Sequence, residues 1–165
     1  MKKLILAAAP VALALGMSAP AHAANTQVAG FVVEVCEVSF GSALYDFGFS
    51  MSAGDSISGT VTLQCNDADG ATVTVTSTEG GLESDDDEDL EIDYTADITA
   101  SDGSNAFALS IDTDSGVPNQ NDQSESAQLP ASGAVYNGTI VMTLNESAPW
   151  AGGYSDTLQL AIDAN

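Results

Sequence analysis

Basic side chains are almost missing from this sequence of 165 residues. Lys and Arg together number two and His one, against 24 Asp and Glu, and Lys2, Lys3 and His22 all precede residue 24. Binding to nucleic acid or to an anionic membrane surface relies on Lys or Arg, so neither is expected of the remaining chain. For lack of His, that chain cannot form a Ser-His-Asp or Cys-His catalytic site. Side-chain salt bridges are also impossible there, so burial, hydrogen bonds and covalent links must stabilise the fold.

Cysteine is scarce as well, with Cys36 and Cys65 alone in the chain. A zinc site normally draws on His or several Cys, and two Cys without His do not supply that ligand set. In an exported protein a pair of cysteines favours a disulfide over two buried thiols. The chain-entropy model gives such a link a stabilisation of roughly 3–4 kcal/mol.

The first 23 residues predict a secretory signal peptide. Lys2 and Lys3 supply a positive start, residues 4–17 an apolar stretch and residues 21–23 a small-residue cleavage site. The apolar stretch is shorter than the roughly 20 residues that span a bilayer. We therefore expect cleavage after Ala23 and export through the periplasm to the cell surface or medium, without insertion into a membrane.

Long helical patterns are absent after residue 23, and short alternating stretches take their place. Each puts apolar residues at every second position, which is typical of half-buried strands. Asp69-Gly70 predicts a hairpin turn, and residues 80–91 and 112–133 read as surface loops. This pattern predicts an all-β fold, an immunoglobulin-like β-sandwich. The predicted strands span residues 28–38, 56–65, 71–77, 90–98, 105–111, 135–144 and 152–163, with a short one near 45–49.

The last predicted strand raises a question about its edges. Tyr154, Leu158, Leu160 and Ile162 share one parity and predict a buried face. Only two residues follow residue 163, so a later hairpin partner is not expected. The edge of this strand therefore needs a partner from elsewhere or stays bare.

Acidic residues cluster between residues 83 and 89, where Asp85, Asp87 and Asp89 alternate. Carboxylate oxygens suit Ca²⁺, although Leu90 stands where an EF-hand loop needs Gly. A solvated loop is the preferred interpretation, a calcium site the alternative, and no other cofactor is expected.

Carboxylate pairs are too numerous in this chain to indicate a glycosidase, and aromatic residues that could stack on a sugar are few. We expect no enzyme activity.

Four stretches together resemble one family. They are "CEV" (36–38), "YDFG" (45–48), "GTVTLQC" (59–65) and "AGGYSDTLQLAI" (151–162), the last with Gly152, Tyr154 and Asp156. In this order and with this cysteine spacing, the chain resembles the spore-coat-U-like domain, which includes the archaic class of chaperone–usher pilins.

The resemblance implies an immunoglobulin-like sandwich that lacks its last strand. A hydrophobic groove would then lie beside the C-terminal strand, walled by Tyr154, Leu158, Leu160 and Ile162. A periplasmic chaperone fills such a groove first, and at an outer-membrane usher the N-terminal extension of another subunit replaces the chaperone.

The domain organisation follows from this resemblance. Residues 1–23 would be removed, residues 24–35 would be the donor-strand arm, and residues 36–165 the pilin-like domain. The arm alternates apolar residues and carries one charge, at Glu34. It is short for a donor arm. Its expected donor residues are Val28, Phe31, Val33 and Val35.

Two functions remain open at this point. The first is a structural subunit of a surface fibre, a pilus or fimbria, assembled by donor-strand exchange with copies of itself or related subunits and contributing to adhesion or biofilm. The alternative is a self-contained, secreted acidic β-sandwich that serves as a coat or matrix protein, with or without a calcium site. In the alternative, residues 24–35 pair within their own chain.

Overall fold

The computed structural model describes residues 27–86, 90–114 and 123–165, and this part of the chain is all-β. The predicted signal peptide lies outside the described residues. The chain divides between Val32 and Val33 into two units, and the second unit holds every strand found among the described residues. The eleven strands are β1 (Cys36–Phe40), β2 (Ser56–Cys65), β3 (Ala71–Ser77), β4 (Leu82–Ser84), β5 (Glu91–Ile92), β6 (Tyr94–Ser101), β7 (Ala106–Asp112), β8 (Gln123–Leu129), β9 (Val135–Leu144), β10 (Tyr154–Ser155) and β11 (Leu158–Ala164).

The strands form two large antiparallel sheets and one small one. The order is β1-β2-β9-β6-β7 in the first, β11-β3-β8 in the second and β10-β4-β5 in the small sheet. Alternate residues of both large sheets enter one apolar core, as expected when two sheets pack face to face. The predicted all-β, sandwich-like class is therefore confirmed. Side chains with no more than 1% exposure include Val61, Leu63, Val73, Val75, Ile98, Tyr136 and Ile140.

The clearest alternating patterns give the clearest strands. Residues 56–65, 71–77 and 135–144 become β2, β3 and β9 with the predicted bounds. In β3, Val73 and Val75 are fully buried, while Thr72, Thr74 and Thr76 lie on the other face and are half-buried. β-branched residues suit such a half-buried strand on both faces.

The turn at Asp69-Gly70 was expected to make a hairpin, and that prediction is wrong. β2 belongs to the five-stranded sheet and β3 to the three-stranded one, so the turn carries the chain between sheets. Gly70 has a positive φ of 85°, and a Cβ there would lie 2.6 Å from the Leu129 carbonyl oxygen. The turn therefore needs Gly for backbone reasons, whichever strands it joins.

Other boundaries also differ from the predicted ones. Residues 45–49 form no strand, and the strand expected over 28–38 begins only at Cys36. The strands expected over 90–98 and 152–163 are each divided, into β5 and β6 and into β10 and β11. β4 and β8 lie in segments that were predicted to be loops. β8 was not predicted because it lacks the alternation of apolar residues: as an edge strand, it fully buries only Leu129.

The predicted disulfide joins Cys36 to Cys65, which face each other across the β1–β2 ladder. Their Cα atoms are 4.1 Å apart. Asn66 N–H donates to the Val35 carbonyl in the neighbouring pair, so the cysteines occupy a non-hydrogen-bonded pair, where strands approach most closely. The link fastens the edge strand β1 to β2, an inner strand of the same sheet.

Candidate functional site

The two sides of the sandwich differ in how well their inner face is covered. Where β7 and β8 adjoin, the inner side chains are buried, with Phe107 at 3% and Leu129 at 2% exposure. Where β1 and β11 adjoin, the corresponding residues pack on the core but stay half-buried. We call this second side the β1–β11 seam. Its inward-facing residues are Val38, Phe40, Leu158, Leu160 and Ile162.

One edge of β11 has no partner strand among residues 27–86, 90–114 and 123–165. Its other edge pairs with β3, and the hydrogen bonds of Thr157 and Asn165 flank that ladder. Because hydrogen-bonded pairs alternate, Gln159, Ala161 and Asp163 direct their backbone groups toward β3. Leu158, Leu160, Ile162 and Ala164 therefore direct their N–H and C=O groups toward the seam, as a template for another strand.

A cavity of about 490 Å³ lies at the end of the seam where β1 finishes and β11 begins. Its walls come from the end of β1, the segment over residues 42–48 and the chain around β10, with core side chains behind them. The walls expose apolar and polar surface in similar amounts, and their aromatic and aliphatic part can receive an apolar side chain. The aromatic and aliphatic residues that line it include Phe40, Tyr45, Phe47, Met142, Tyr154 and Leu158.

Tyr45 is held in the wall of this cavity by two close neighbours. Its ring meets Phe40 edge-on at a centroid separation of 6.3 Å. Its phenol lies against Gly59 of β2, where any side chain would collide with it. The hydroxyl oxygen is buried and has no hydrogen-bond partner among the described residues. "YDFG" is thus a wall of the cavity, although the sequence pattern suggested a short strand.

Asp156, between β10 and β11, is the most heavily hydrogen-bonded carboxylate beside the seam. Tyr94 Oη donates to it at 2.5 Å and Ser77 Oγ at 2.7 Å. The backbone N–H groups of Glu79 and Thr157 donate to its other oxygen at 3.1 and 2.6 Å. Burial and the nearby Asp156 charge raise the pKa of Tyr94, so its hydroxyl stays protonated and donates. The start of β11 is thereby fixed to β3 and β6.

The described part of the predicted arm, residues 27–35, forms no strand. Val28 and Phe31 are each 89% exposed and Val32 81%, which is unusual for apolar side chains of this size. Val33 and Val35 differ because Asn66 hydrogen-bonds their backbone, and Val35 is half-buried. The exposed apolar part of the arm therefore ends near Val33.

The predicted wall residues Tyr154, Leu158, Leu160 and Ile162 all pack on the core and stay half-buried. Leu158, Leu160 and Ile162 share the inner face of β11. Tyr154 belongs to β10, which pairs with β4 through Ser84. The structure thus brings the four together along the seam, with Asp156 between them.

The acidic run gives no metal site within the described residues. Asp85 is exposed and donates its N–H to the Gly153 carbonyl at 2.9 Å, while Asp87 and Asp89 lie outside the described residues. In the three described ranges, no group of three or more His, Cys, Asp or Glu is placed to hold an ion. Within these ranges, too, no helix is long and apolar enough to cross a membrane.

The small sheet places like charges opposite each other beside the seam. Glu83 of β4 pairs directly with Glu91 of β5. Partial burial and the charges of Asp93, Asp156 and Glu83 raise the pKa of Glu91 to about 7. Burial, followed by the charges of Asp114 and Glu146, raises the pKa of Asp93 as well. Residues 27–86, 90–114 and 123–165 contain no Lys or Arg that could offset this repulsion.

No protein-family model and no curated protein sequence matches this chain.

The sequence analysis did not predict two residues of the site, Asp156 and Asn66. Asp156 had a signal, since a carboxylate occupied an inner-parity position in an otherwise apolar series. Asn66 had none, because an Asn after a strand ordinarily marks a turn.

Proposed function

We propose that this protein is a structural, non-enzymatic subunit of a surface fibre in which the N-terminal arm of one copy completes the β1–β11 seam of another. The observation that carries the proposal is the unpaired edge of β11 above a half-covered core. An added strand would satisfy the free N–H and C=O groups of Leu158, Leu160 and Ile162 and bury their side chains. Interactions of this type take affinity from main-chain hydrogen bonds and specificity from alternate side chains.

The occupant of the seam is the arm, because the chain exposes no comparable apolar segment elsewhere among the described residues. Its four large exposed hydrophobic residues, Val28, Phe31, Val32 and Val33, lie within six positions of the chain. Residues 24–33 carry no charged side chain in a chain that otherwise repels its own copies. Phe31 is the largest side chain of the arm and suits the 490 Å³ cavity.

Pairing between copies is favoured over the self-contained alternative by the state of the arm. That alternative requires residues 24–35 to pair within their own chain, and residues 27–35 form no strand there. A donor and an acceptor on different parts of one surface make a head-to-tail contact, which produces an open filament when it does not close. Such a subunit suits a fibre that contributes to adhesion or biofilm.

Before assembly, an exposed seam and arm are an aggregation hazard. We propose that a periplasmic chaperone covers the seam with a strand of its own and that an outer-membrane usher releases the subunit to the fibre. Both partners follow from the resemblance to chaperone–usher pilins and from the predicted export.

The test compares the mature chain, beginning at Ala24, with an arm-replaced variant. In this variant residues 27–32 become a Gly/Ser segment of equal length, and the disulfide is kept. Light scattering after size-exclusion chromatography measures the assembly state of each. A synthetic peptide with the sequence of residues 24–35 serves as the probe for the empty seam.

We expect the mature chain to form multimers, and the arm-replaced variant to stay monomeric and bind the peptide. A peptide with Phe31 and Val33 both changed to Ser is the matched control and should not bind. Multimers of the arm-replaced variant, or a mature chain that is strictly monomeric without chaperone, would overturn the proposal.

A further inference from the structure

Asn66, the first residue after β2, is hydrogen-bonded to the segment that precedes β1. Its N–H donates to the Val35 carbonyl at 3.1 Å. Its Nδ2 donates to the Val33 carbonyl at 2.8 Å, and the Val35 N–H donates to its Oδ1 at 2.8 Å. The side-chain amide thus continues the β1–β2 ladder beyond its last paired residues. It holds residues 33–35 in line with β1, where no strand partner remains.

Residues 33–35, which connect the arm to β1, lie at the opposite end of the seam from the cavity. Cys36 pairs with Cys65 beside the turn into β3, and Ala164 pairs with Ala71 just after that turn. Phe40 and Leu158 meet in the cavity. β1 and β11 therefore run in opposite directions. An arm that returned to its own β11 would have to reverse direction and would then run parallel to it.

We propose that Asn66 is the positioning residue that directs the arm to a second copy rather than to its own seam; this inference rests on the proposed function. With residues 33–35 held by Asn66, the free arm after the predicted cleavage spans residues 24–32. A reversal takes at least about two residues, and crossing the roughly 10 Å between the sheets takes about three more.

Too little arm then remains to reach the cavity. The residues left over span about 13 Å at 3.3 Å each. The path from Ala164 to Leu158 needs about 20 Å at the same rise. Releasing residues 33–35 would add about 10 Å and make self-pairing possible. The arm of a second copy has no such restriction and can approach in the antiparallel direction, which pairs slightly better.

The experiment changes Asn66 and measures which seam the arm fills. Asn66→Ala removes both side-chain hydrogen bonds, and Asn66→Asp keeps the acceptor for Val35 N–H while losing the donor to the Val33 carbonyl. Asn145→Ala is the matched control, because Asn145 makes two inter-strand hydrogen bonds, with Thr95 and Asp112, far from the arm in the fold. The probe is the labelled peptide of residues 24–35, added to freshly released monomer.

We expect Asn66→Ala to bind the peptide about 100-fold more weakly than the wild-type chain, because its own arm competes at millimolar effective concentration. Placing the same substitution in the arm-replaced variant should restore binding. Asn66→Asp should be intermediate, and Asn145→Ala should match wild type. A circular dichroism spectrum and an intact disulfide establish that each variant is folded.

Two negative results are distinguishable. If Asn66→Ala binds peptide and assembles as wild type does, while its Val35 amide exchanges faster, the positioning role is wrong and the proposed function stands. If the arm-replaced variant with Asn66 intact binds no peptide, the proposed function itself fails. Should Asn66→Ala not fold, wild-type behaviour of folded Asn66→Asp overturns the inference.

Discussion

Tyr94 donates a hydrogen bond of 2.5 Å to the Asp156 carboxylate, joining the core strand β6 to the segment in front of β11. That carboxylate also accepts from Ser77 and from two backbone N–H groups. Removing it leaves several donors without a partner, whereas removing the Tyr94 hydroxyl leaves three hydrogen bonds to Asp156 in place.

We therefore expect Asp156→Ala to lower the free energy of unfolding by about 3 kcal/mol and Tyr94→Phe by about 1 kcal/mol. Urea denaturation of the arm-replaced variant, which excludes effects of assembly, measures both. A Tyr94→Phe loss equal to or larger than that of Asp156→Ala would show that the carboxylate does not organise this end of β11.

The disulfide fastens β1, one wall of the seam, to β2. Replacing Cys36 and Cys65 by Ser should lower the free energy of unfolding by roughly 3–4 kcal/mol, since the link closes a loop with a sequence separation of 29 residues. Because β1 is an edge strand, we also expect the Ser39 amide, which faces β2, to lose exchange protection before the amides of β9. Equal loss in both strands would mean that the disulfide stabilises the sandwich only globally.

The sequence predicted most of the buried half of this fold and little of its edges. β2, β3 and β9 are central strands whose inner positions must be apolar, so alternation reveals their bounds. β8 and β4 are edge or short strands whose solvent-facing residues obscure the pattern. The hairpin expected at Asp69-Gly70 was wrong because local turn chemistry does not determine which sheet the following strand joins.

For the candidate site, the sequence predicted the inner face of β11 but not the contact between Val35 and Asn66. The parity of Leu158, Leu160 and Ile162 is visible in the sequence, and it identified the inner face of β11. Val35 was expected among the donor residues, yet its hydrogen bonds to Asn66 hold it to its own domain. Those bonds join residues 31 positions apart, which no local pattern could indicate.

Folding raises the pKa of Glu91 from its ordinary value of 4.5 to about 7. The free energy of unfolding should therefore fall as the pH rises between these two values. Below about pH 4.5, Glu91 is protonated in both the folded and the unfolded chain. Between about pH 4.5 and 7, the folded chain binds more protons than the unfolded chain. Allowing for solvent screening of a partly exposed carboxyl, the Glu91 contribution is roughly 1 kcal/mol.

Thermal unfolding of the arm-replaced variant at pH 5 and pH 8 tests this assignment. Glu91→Gln should raise the melting temperature at pH 8 and reduce the difference between the two pH values. Glu37→Gln removes the same charge from an exposed position of β1 and serves as the control. An equal effect of the two substitutions would attribute the pH dependence to overall charge rather than to the partial burial of Glu91 and its neighbours Asp93, Asp156 and Glu83.

Proline substitutions distinguish the two edges of β11. The Leu160 N–H faces the seam, so Leu160→Pro should leave the β3 ladder intact but prevent assembly. Leu160→Ala controls for the lost side chain and should assemble, although more weakly. Ala161→Pro removes a hydrogen bond to β3 and should destabilise the domain itself. If Leu160→Pro assembled as well as Leu160→Ala, the Leu160 N–H would not contribute to the contact between copies.

Residue-resolved amide exchange along β11 tests the central claim most directly. In the arm-replaced monomer, the amides of Gln159, Ala161 and Asp163 should be protected by β3, and those of Leu158, Leu160 and Ile162 should exchange freely. In multimers of the mature chain, the second set should slow by at least about tenfold as a donor strand covers the edge. Multimers in which Leu158, Leu160 and Ile162 still exchange as in the monomer would contradict the account.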